Sequence, residues 1–164
     1  MAHANETKTR ATSPTRSVVH GSFSLQRVYP AAPQEVFHAL TDTTAKARWF
    51  AGGDDYTTLE RTMDVRPGGR ERVQGRWKSG LVSTFDAIYF DVVPNARLVY
   101  SYEMHLDDRK ISVSLAAMEL RPEGKGTRLV VTEHGAFLDG YDDAGAREQG
   151  TSSLLDRLGA ALQS

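Results

Sequence analysis

Residues 28–40 read VYPAAPQEVFHAL and mark the point where the pattern changes from strand to helix. Upstream of this stretch, apolar and polar residues alternate and the alternation stops at Pro30, which is typical of a β-strand. Downstream, Pro33 suits the first position of a helix, and Glu35 lies in the first turn, where a carboxylate is favourable. The sequence therefore predicts a first strand followed directly by a short helix.

A second short helix is predicted at residues 45–50. Thr43 or Thr44 can cap its amino end through a side-chain oxygen. Two glycines then end it, because glycine adopts left-handed backbone without strain. Trp49 and Phe50 consequently lie at a helix end, where they either gate the mouth of a pocket or clamp the short helices against a sheet.

Beyond this point, short turn sequences such as Pro-Gly-Gly and Pro-Asn-Ala separate runs rich in Val, Tyr, Phe, Thr and Ile. These runs predict six strands at residues 59–66, 70–77, 81–93, 97–106, 110–121 and 127–135. Connections this short require antiparallel neighbours, because a parallel crossover needs a dozen or more residues.

The chain closes on an amphipathic helix whose apolar stripe is formed by Leu154, Leu155, Leu158, Ala161 and Leu162. The predicted fold class is therefore α+β: a curved seven-stranded antiparallel sheet wrapped around a long C-terminal helix, with two short helices after the first strand. One helix cannot fill a wide curved sheet. The space between them is expected either to hold large side chains or to form an apolar pocket with a few polar groups.

Composition narrows the possible partners. The 164 residues carry a net charge of −1 and no cysteine, which argues against nucleic acid and anionic membranes as partners and excludes thiolate chemistry. Residues 1–16 have no periodic apolar pattern and are predicted to be a disordered tail, whereas residues 17–164 are predicted to form a single domain. We expect a cytoplasmic protein without cofactor or metal, either a monomer or a homodimer.

Several short motifs follow one another along the chain. None of them alone is specific for a protein family, but their order and spacing together are. The motifs are Tyr29-Pro-Ala-Ala-Pro-Gln-Glu-Val-Phe37, Ala39-Leu-Thr-Asp42, Arg48-Trp-Phe50, Asp64-Val-Arg-Pro-Gly-Gly69, Val93-Pro94 with Leu98-Val-Tyr100, and Gly126-Thr-Arg-Leu129. Together they resemble the START-like SRPBCC superfamily, over roughly residues 23–162. Within it they are similar to the branch named after the C-terminal domain of the activator of the heat shock protein 90 ATPase. The resemblance implies a helix-grip fold.

The superfamily that the sequence resembles includes carriers of hydrophobic ligands, cyclases and dehydratases of polyketide type, receptors and co-chaperone domains. Two positions depart from its pattern. Many relatives have a second tryptophan where this chain has Phe50, and many have an aromatic residue where it has Thr151. The loss of an aromatic at the start of the final helix is expected to change the volume near the pocket mouth, so the resemblance does not identify a ligand.

Eleven residues are predicted to line a ligand pocket: Trp49, Phe50, Phe85, Tyr89, Tyr100, Tyr102, Ser112, Ser114, Glu133, Leu154 and Leu158. Glu133 shares a strand face with Leu129 and Val131, so it enters the pocket if these two face the helix; otherwise it is a carboxylate at the solvated rim. Arg27, Arg109 and Arg147 are its conceivable partners. The two serines face either solvent or the cavity.

Three functions remain open at this stage. The preferred one is binding of a small hydrophobic or amphipathic ligand in the cavity, without catalysis. An alternative is an enzyme of the cyclase or dehydratase kind, with Glu133 or a tyrosine as acid or base. The third, implied by the resemblance, is a co-chaperone-like role in stimulating a chaperone ATPase. This last role needs an exposed apolar patch, which is not evident from the sequence.

Overall fold

The structure is a computed structural model that describes residues 16–164. The elements in chain order are β1 (Val18–Tyr29), α1 (Pro33–Thr41), α2 (Thr43–Ala47), β2 (Tyr56–Met63), β3 (Arg70–Trp77), β4 (Val82–Val93), β5 (Arg97–Leu106), β6 (Arg109–Glu123), β7 (Gly126–Leu138) and α3 (Ala144–Leu162). The predicted disordered tail lies outside the described residues, apart from Arg16.

The seven strands form one antiparallel sheet in the order β1-β7-β6-β5-β4-β3-β2. Strands β2 to β7 pair with their neighbours in sequence because only short turns join them. Strand β1 pairs with β7, so the first strand of the chain lies next to the last. The predicted α+β fold, with two short helices after the first strand and a long helix at the end, is confirmed.

Strands β2 and β7 differ from the predicted boundaries by up to three residues, and β4 and β6 by one or two. Strand β2 covers Tyr56–Met63 instead of 59–66, because residues 64–69 form a turn in which the Gly69 amide donates to the Arg66 carbonyl at 2.7 Å. Strand β7 continues to Leu138, three residues beyond the predicted end, because β1 begins at Val18 and pairs with it over this length.

Side-chain caps start two of the helices. Asp42 caps α2 by accepting a hydrogen bond from the Ala45 amide at 2.9 Å, so the prediction of Thr43 or Thr44 as the cap is wrong. An aspartate one residue earlier reaches the same orphan amides, and both threonines become part of the helix. Asp143 caps α3 through the Ala146 amide at 2.8 Å.

The helix α3 lies against the face of the sheet that carries the buried side chains. Leu155 and Leu158 are its fully buried residues. The Tyr29 hydroxyl at the end of β1 donates to the Leu155 carbonyl at 2.7 Å, which ties the helix to the sheet. None of the helices in the described part of the chain is long and apolar enough to cross a membrane.

Candidate functional site

Glu133 of β7 is buried beneath α3. Only 5% of its surface is exposed, and Leu129 and Val131 on the same strand face are fully buried. The position at a solvated rim is therefore excluded, and the side chain enters the interior. There its carboxylate accepts a hydrogen bond from the Tyr102 hydroxyl of β5.

Arg147 of α3 connects this carboxylate to the helix. Its guanidinium donates to the Tyr102 hydroxyl oxygen at 3.0 Å, to Ser112 Oγ at 2.7 Å and to Asp142 Oδ2 at 2.9 Å. Of the three arginines that the sequence suggested as partners of Glu133, Arg147 is the one in this network. We refer to Tyr102, Ser112, Glu133, Asp142 and Arg147 as the polar cluster.

Burial dominates the titration behaviour of the polar cluster. It raises the pKa of the Glu133 carboxyl, and the hydrogen bond from Tyr102 and the charge of Arg147 offset only part of this effect. Burial together with the nearby Glu133 charge also raises the pKa of the Tyr102 phenol. The carboxyl is thus a stronger base than an exposed glutamate, and the phenol stays protonated.

Ser114 lies beside the polar cluster with unused hydrogen-bonding capacity. It pairs with Tyr102 on one side and with Gly135 on the other in the strand register, and it is 3% exposed. Its Oγ has no hydrogen-bond partner within residues 16–164. A Cβ at Gly135 would lie 3.1 Å from this oxygen and 2.8 Å from the Phe137 ring, so the glycine allows the ring and the hydroxyl to lie this close to the strand.

Aromatic side chains continue from the polar cluster across the interior. The ring centroids of Tyr102 and Phe85 lie 4.9 Å apart, those of Tyr102 and Tyr100 6.1 Å, and those of Tyr100 and Tyr89 5.6 Å. Phe50 contacts Phe85 edge to face at 5.0 Å. The structure thus brings together the predicted aromatic residues of two strands, β4 and β5, and Phe50 after α2 in one continuous wall.

Trp49 is part of the helix packing. It is 2% exposed, and its indole nitrogen donates to the Ala39 carbonyl of α1 at 2.9 Å. Of the two roles predicted for Trp49 and Phe50, this geometry fits a clamp for Trp49. Phe50 is partly buried between Trp49 and the aromatic wall.

A second buried ionic group lies at the other end of the wall, and the sequence reasoning missed it. Glu71 of β3 accepts hydrogen bonds from Lys46 at 2.7 Å and from the Tyr89 hydroxyl at 2.6 Å, and both charged residues are buried. The ammonium of Lys46 lies 4.4 Å from the centroid of the Phe50 ring. The alternation of Glu71 with Val73 along β3 was a signal that could have placed this glutamate inside.

The leucines of α3 differ in how far they are buried. Leu158 is fully buried and Leu154 is partly buried against the core, so both predicted residues face the sheet. Leu155 is also fully buried, although it was not among the predicted lining residues. All three lie in the second half of the helix, whereas the polar cluster lies beneath the first half.

The interior between α3 and the sheet is occupied by these side chains. Two surface depressions of about 610 and 590 Å³ lie elsewhere, one on the outer face of the sheet around Leu115 and His134 and the other beside α1. Of the two expectations for this space, large side chains or an apolar pocket, the packing of the aromatic residues fits the first. Within residues 16–164, no group of three or more His, Asp or Glu side chains is placed to hold a metal ion.

The sequence profile of the family described as activator of Hsp90 ATPase homolog 1-like protein matches residues 30–163. Among solved structures, an uncharacterised protein from Rhizobium leguminosarum is 42% identical over 91% of this chain and 98% of its own, with a TM-score of 0.86. A protein from Rhizobium loti is 43% identical over 88% of this chain and 99% of its own, with a TM-score of 0.82. An AHSA1-like protein from Aeromonas hydrophila, 20% identical over 87% of this chain and 92% of its own, shares the fold with a TM-score of 0.68. No curated protein matches the chain.

Proposed function

The chain belongs to the family of activator of Hsp90 ATPase homolog 1-like proteins, and on this basis we propose that it binds a small hydrophobic or amphipathic molecule between α3 and the sheet. The polar end of the molecule would lie at the polar cluster, and its apolar part would lie along the aromatic wall.

The observation that carries this proposal is the polar lining beneath the first half of α3. Burying charged groups costs free energy, and apolar side chains of similar volume stabilise a core as well or better. The second half of the helix uses leucines for this purpose. Beneath the first half, the protein instead keeps Glu133, Arg147 and a hydroxyl of Ser114 that has no partner within the described residues. Such groups are expected where another molecule completes the hydrogen bonds.

Access to this interior requires the first half of α3 to move, because side chains fill the space in the present structure. Residues 144–150 contain no buried residue and hold the sheet chiefly through Arg147. The helix continues as Gly150-Thr-Ser-Ser153, a run of residues with low helix propensity. The helix is thus weakest between its polar half and its leucine half.

The proposal is tested by titrating the protein with Nile red, an uncharged fluorescent probe of apolar sites. We expect saturable binding and thermal stabilisation, since a ligand at 100 times its Kd adds about 2.7 kcal/mol. Ser114→Leu replaces the hydroxyl with a bulkier apolar side chain at the polar cluster and should abolish binding, whereas Val113→Leu, on the outer face of the same strand, should not. Thr151→Phe serves as a second blocking variant if Ser114→Leu does not fold. Absence of saturable binding to the folded wild type would refute the proposal.

A second candidate function, acid-base catalysis, is favoured by the hydrogen bond of buried Glu133 with Tyr102, which Arg147 contacts in turn. The carboxylate could take a proton from a carbon next to a carbonyl. Once Glu133 is protonated, the Tyr102 hydroxyl no longer needs to donate to it and could stabilise the enolate that forms. Acetylacetone in D₂O tests this, because proton abstraction and deuteron return exchange its central hydrogens without a co-reactant. NMR should show faster exchange with the wild type than with Glu133→Gln; equal rates for both and for buffer would exclude the function.

The chaperone-directed role remains a third proposal, supported by exposed apolar side chains on the outer face of β6. Val113 and Leu115 are 41% and 48% exposed there. If the role is correct, the protein should stimulate the ATPase of an Hsp90-type chaperone, and Leu115→Glu should remove the effect. Leu59→Glu on β2 is the matched control. Unchanged ATPase activity in the presence of wild type would refute it.

A further inference from the structure

The hydrogen bonds of the polar cluster leave little capacity for a charged ligand. The Tyr102 hydroxyl donates to Glu133 and accepts from Arg147, so it is used on both sides. The guanidinium of Arg147 is shared among Tyr102, Ser112 and Asp142. Arg147 therefore does not present the free pair of donors with which arginine binds a carboxylate.

The charges in the interior are also largely balanced. Asp142 forms an ion pair with Arg147 at 2.9 Å, and Glu71 forms one with Lys46 at 2.7 Å. Glu133 is the remaining acidic group. A ligand carboxylate would meet this like charge while the neighbouring arginine is already paired, which costs free energy in a desolvated site.

A cationic ligand group is disfavoured for a different reason. The faces of the aromatic rings that could attract it already carry the protein's own cations. Arg147 lies 5.5 Å from the ring centroid of Tyr102 and 5.4 Å from that of Phe137, and Lys46 lies 4.4 Å from that of Phe50. An incoming ammonium would have the Glu133 carboxylate as its counter-ion, but the cost of desolvating two buried charges can exceed their attraction.

The unused capacity belongs to an uncharged group. The hydroxyl of Ser114 can donate one hydrogen bond and accept another, and it is 97% buried, since 3% of the residue is exposed. Its partners are therefore a hydroxyl or a carbonyl. We propose that the site selects apolar molecules with an uncharged hydroxyl or carbonyl end over carboxylates and amines of the same carbon chain. This inference rests on the proposed function and specifies its ligand class.

The test uses four probes of equal chain length: 1-octanol, 2-octanone, octanoate and octylammonium, each titrated calorimetrically into the full chain at pH 7.5. We expect the alcohol and the ketone to bind at least about tenfold more tightly than either ion, the ratio expected for about 1.4 kcal/mol of discrimination. If an ion binds as tightly as the alcohol, the inference is overturned and the proposed function stands. If none of the four binds, both fail.

Two variants test which residues cause the preference for uncharged ligands. Ser114→Ala should weaken octanol binding by about fivefold, the effect of losing one hydrogen bond. Glu133→Gln removes the like charge and should reduce the difference in affinity between octanoate and octanol. His134→Gln changes a neighbouring residue whose side chain lies on the outer face of the sheet, and it should leave this difference unchanged. Circular dichroism establishes that each variant is folded. The inference would be overturned if Glu133→Gln left the difference in affinity between octanoate and octanol unaltered and Ser114→Ala left the octanol affinity unaltered.

Discussion

Glu133 couples the stability of the protein to pH in the opposite direction to most surface carboxylates. Because burial raises its pKa above 4.5, the folded protein holds this proton more tightly than the unfolded chain does. Its contribution to stability is therefore fully present below pH 4.5 and is lost as the pH rises through the higher folded-state pKa. The same upward shift of the pKa makes the carboxyl a better proton acceptor than an exposed glutamate.

Urea unfolding of the wild type and of Glu133→Gln at several pH values measures this contribution. We expect the stability of the wild type relative to the variant to be greatest near pH 4.5 and to fall as the pH is raised. His134→Gln supplies a control for the loss of a neighbouring titratable group. A stability difference that does not change with pH would mean that Glu133 is not buried as described.

The pair of Lys46 and Glu71 makes a prediction about stability alone. Lys46→Met leaves the carboxylate of Glu71 buried without its counter-ion, which should lower the free energy of unfolding by about 3 to 5 kcal/mol. The double variant Lys46→Met with Glu71→Leu removes both charges and should lose less than the single variant. Chemical denaturation gives both values. A double variant less stable than the single one would contradict the prediction and would show that Glu71 stabilises the fold without Lys46, through its hydrogen bond with Tyr89.

Strand alternation predicted which site residues share a face of the sheet, but not which face is buried. Glu133, Ser112 and Ser114 follow from it once the inward face of each strand is known. Lys46 was not predictable from its own segment, because it lies on a helix of five residues too short to show a face. Its burial depends on Glu71, which is distant in sequence, and such partnerships are set by tertiary packing.

At the scale of elements, α3 combines two halves with different means of attachment. Leucines hold the second half, and hydrogen bonds of Arg147 hold the first. The sequence predicted the leucine stripe because its period matches a helix. The first half has no apolar residues repeating at helical spacing, so only the structure shows that it lies over Glu133.

The glycines of α3 allow the weak point between these halves to be tested. A Cβ at Gly150 would meet nothing within 4 Å, so Gly150→Ala should stabilise the protein by about 0.5 to 1 kcal/mol by favouring the helix. If α3 must bend there, the same variant should slow the binding of Nile red. Gly159→Ala is the matched control. Its Cβ would lie 3.1 Å from the Tyr29 ring, so we expect this variant to be little or no more stable than the wild type. Equal binding rates for wild type and Gly150→Ala would argue against bending at this position.

For the whole molecule, the topology was predictable because it follows from connection lengths, whereas the state of the interior was not. Short hairpin turns determine the antiparallel order of six strands. Whether the space under the helix is open depends on how particular rings pack, and strand alternation does not encode this. Strand β4 is an example: it is apolar on both faces, and the structure buries Phe85 and Tyr89 but leaves Phe90 57% exposed.

Native-state hydrogen exchange tests whether the filled interior opens by local motion or only with the whole fold. Residues 145–149 of α3 include no fully buried residue, whereas residues 155–158 include two fully buried leucines packed on the sheet. Segments with few buried contacts open at lower free energy than the core. We therefore expect the amides of 145–149 to exchange faster than those of 155–158, with a weaker dependence on urea. Exchange of both halves at one rate, with the urea dependence of global unfolding, would mean that α3 opens as one unit, and a ligand could then enter only through complete unfolding of the helix.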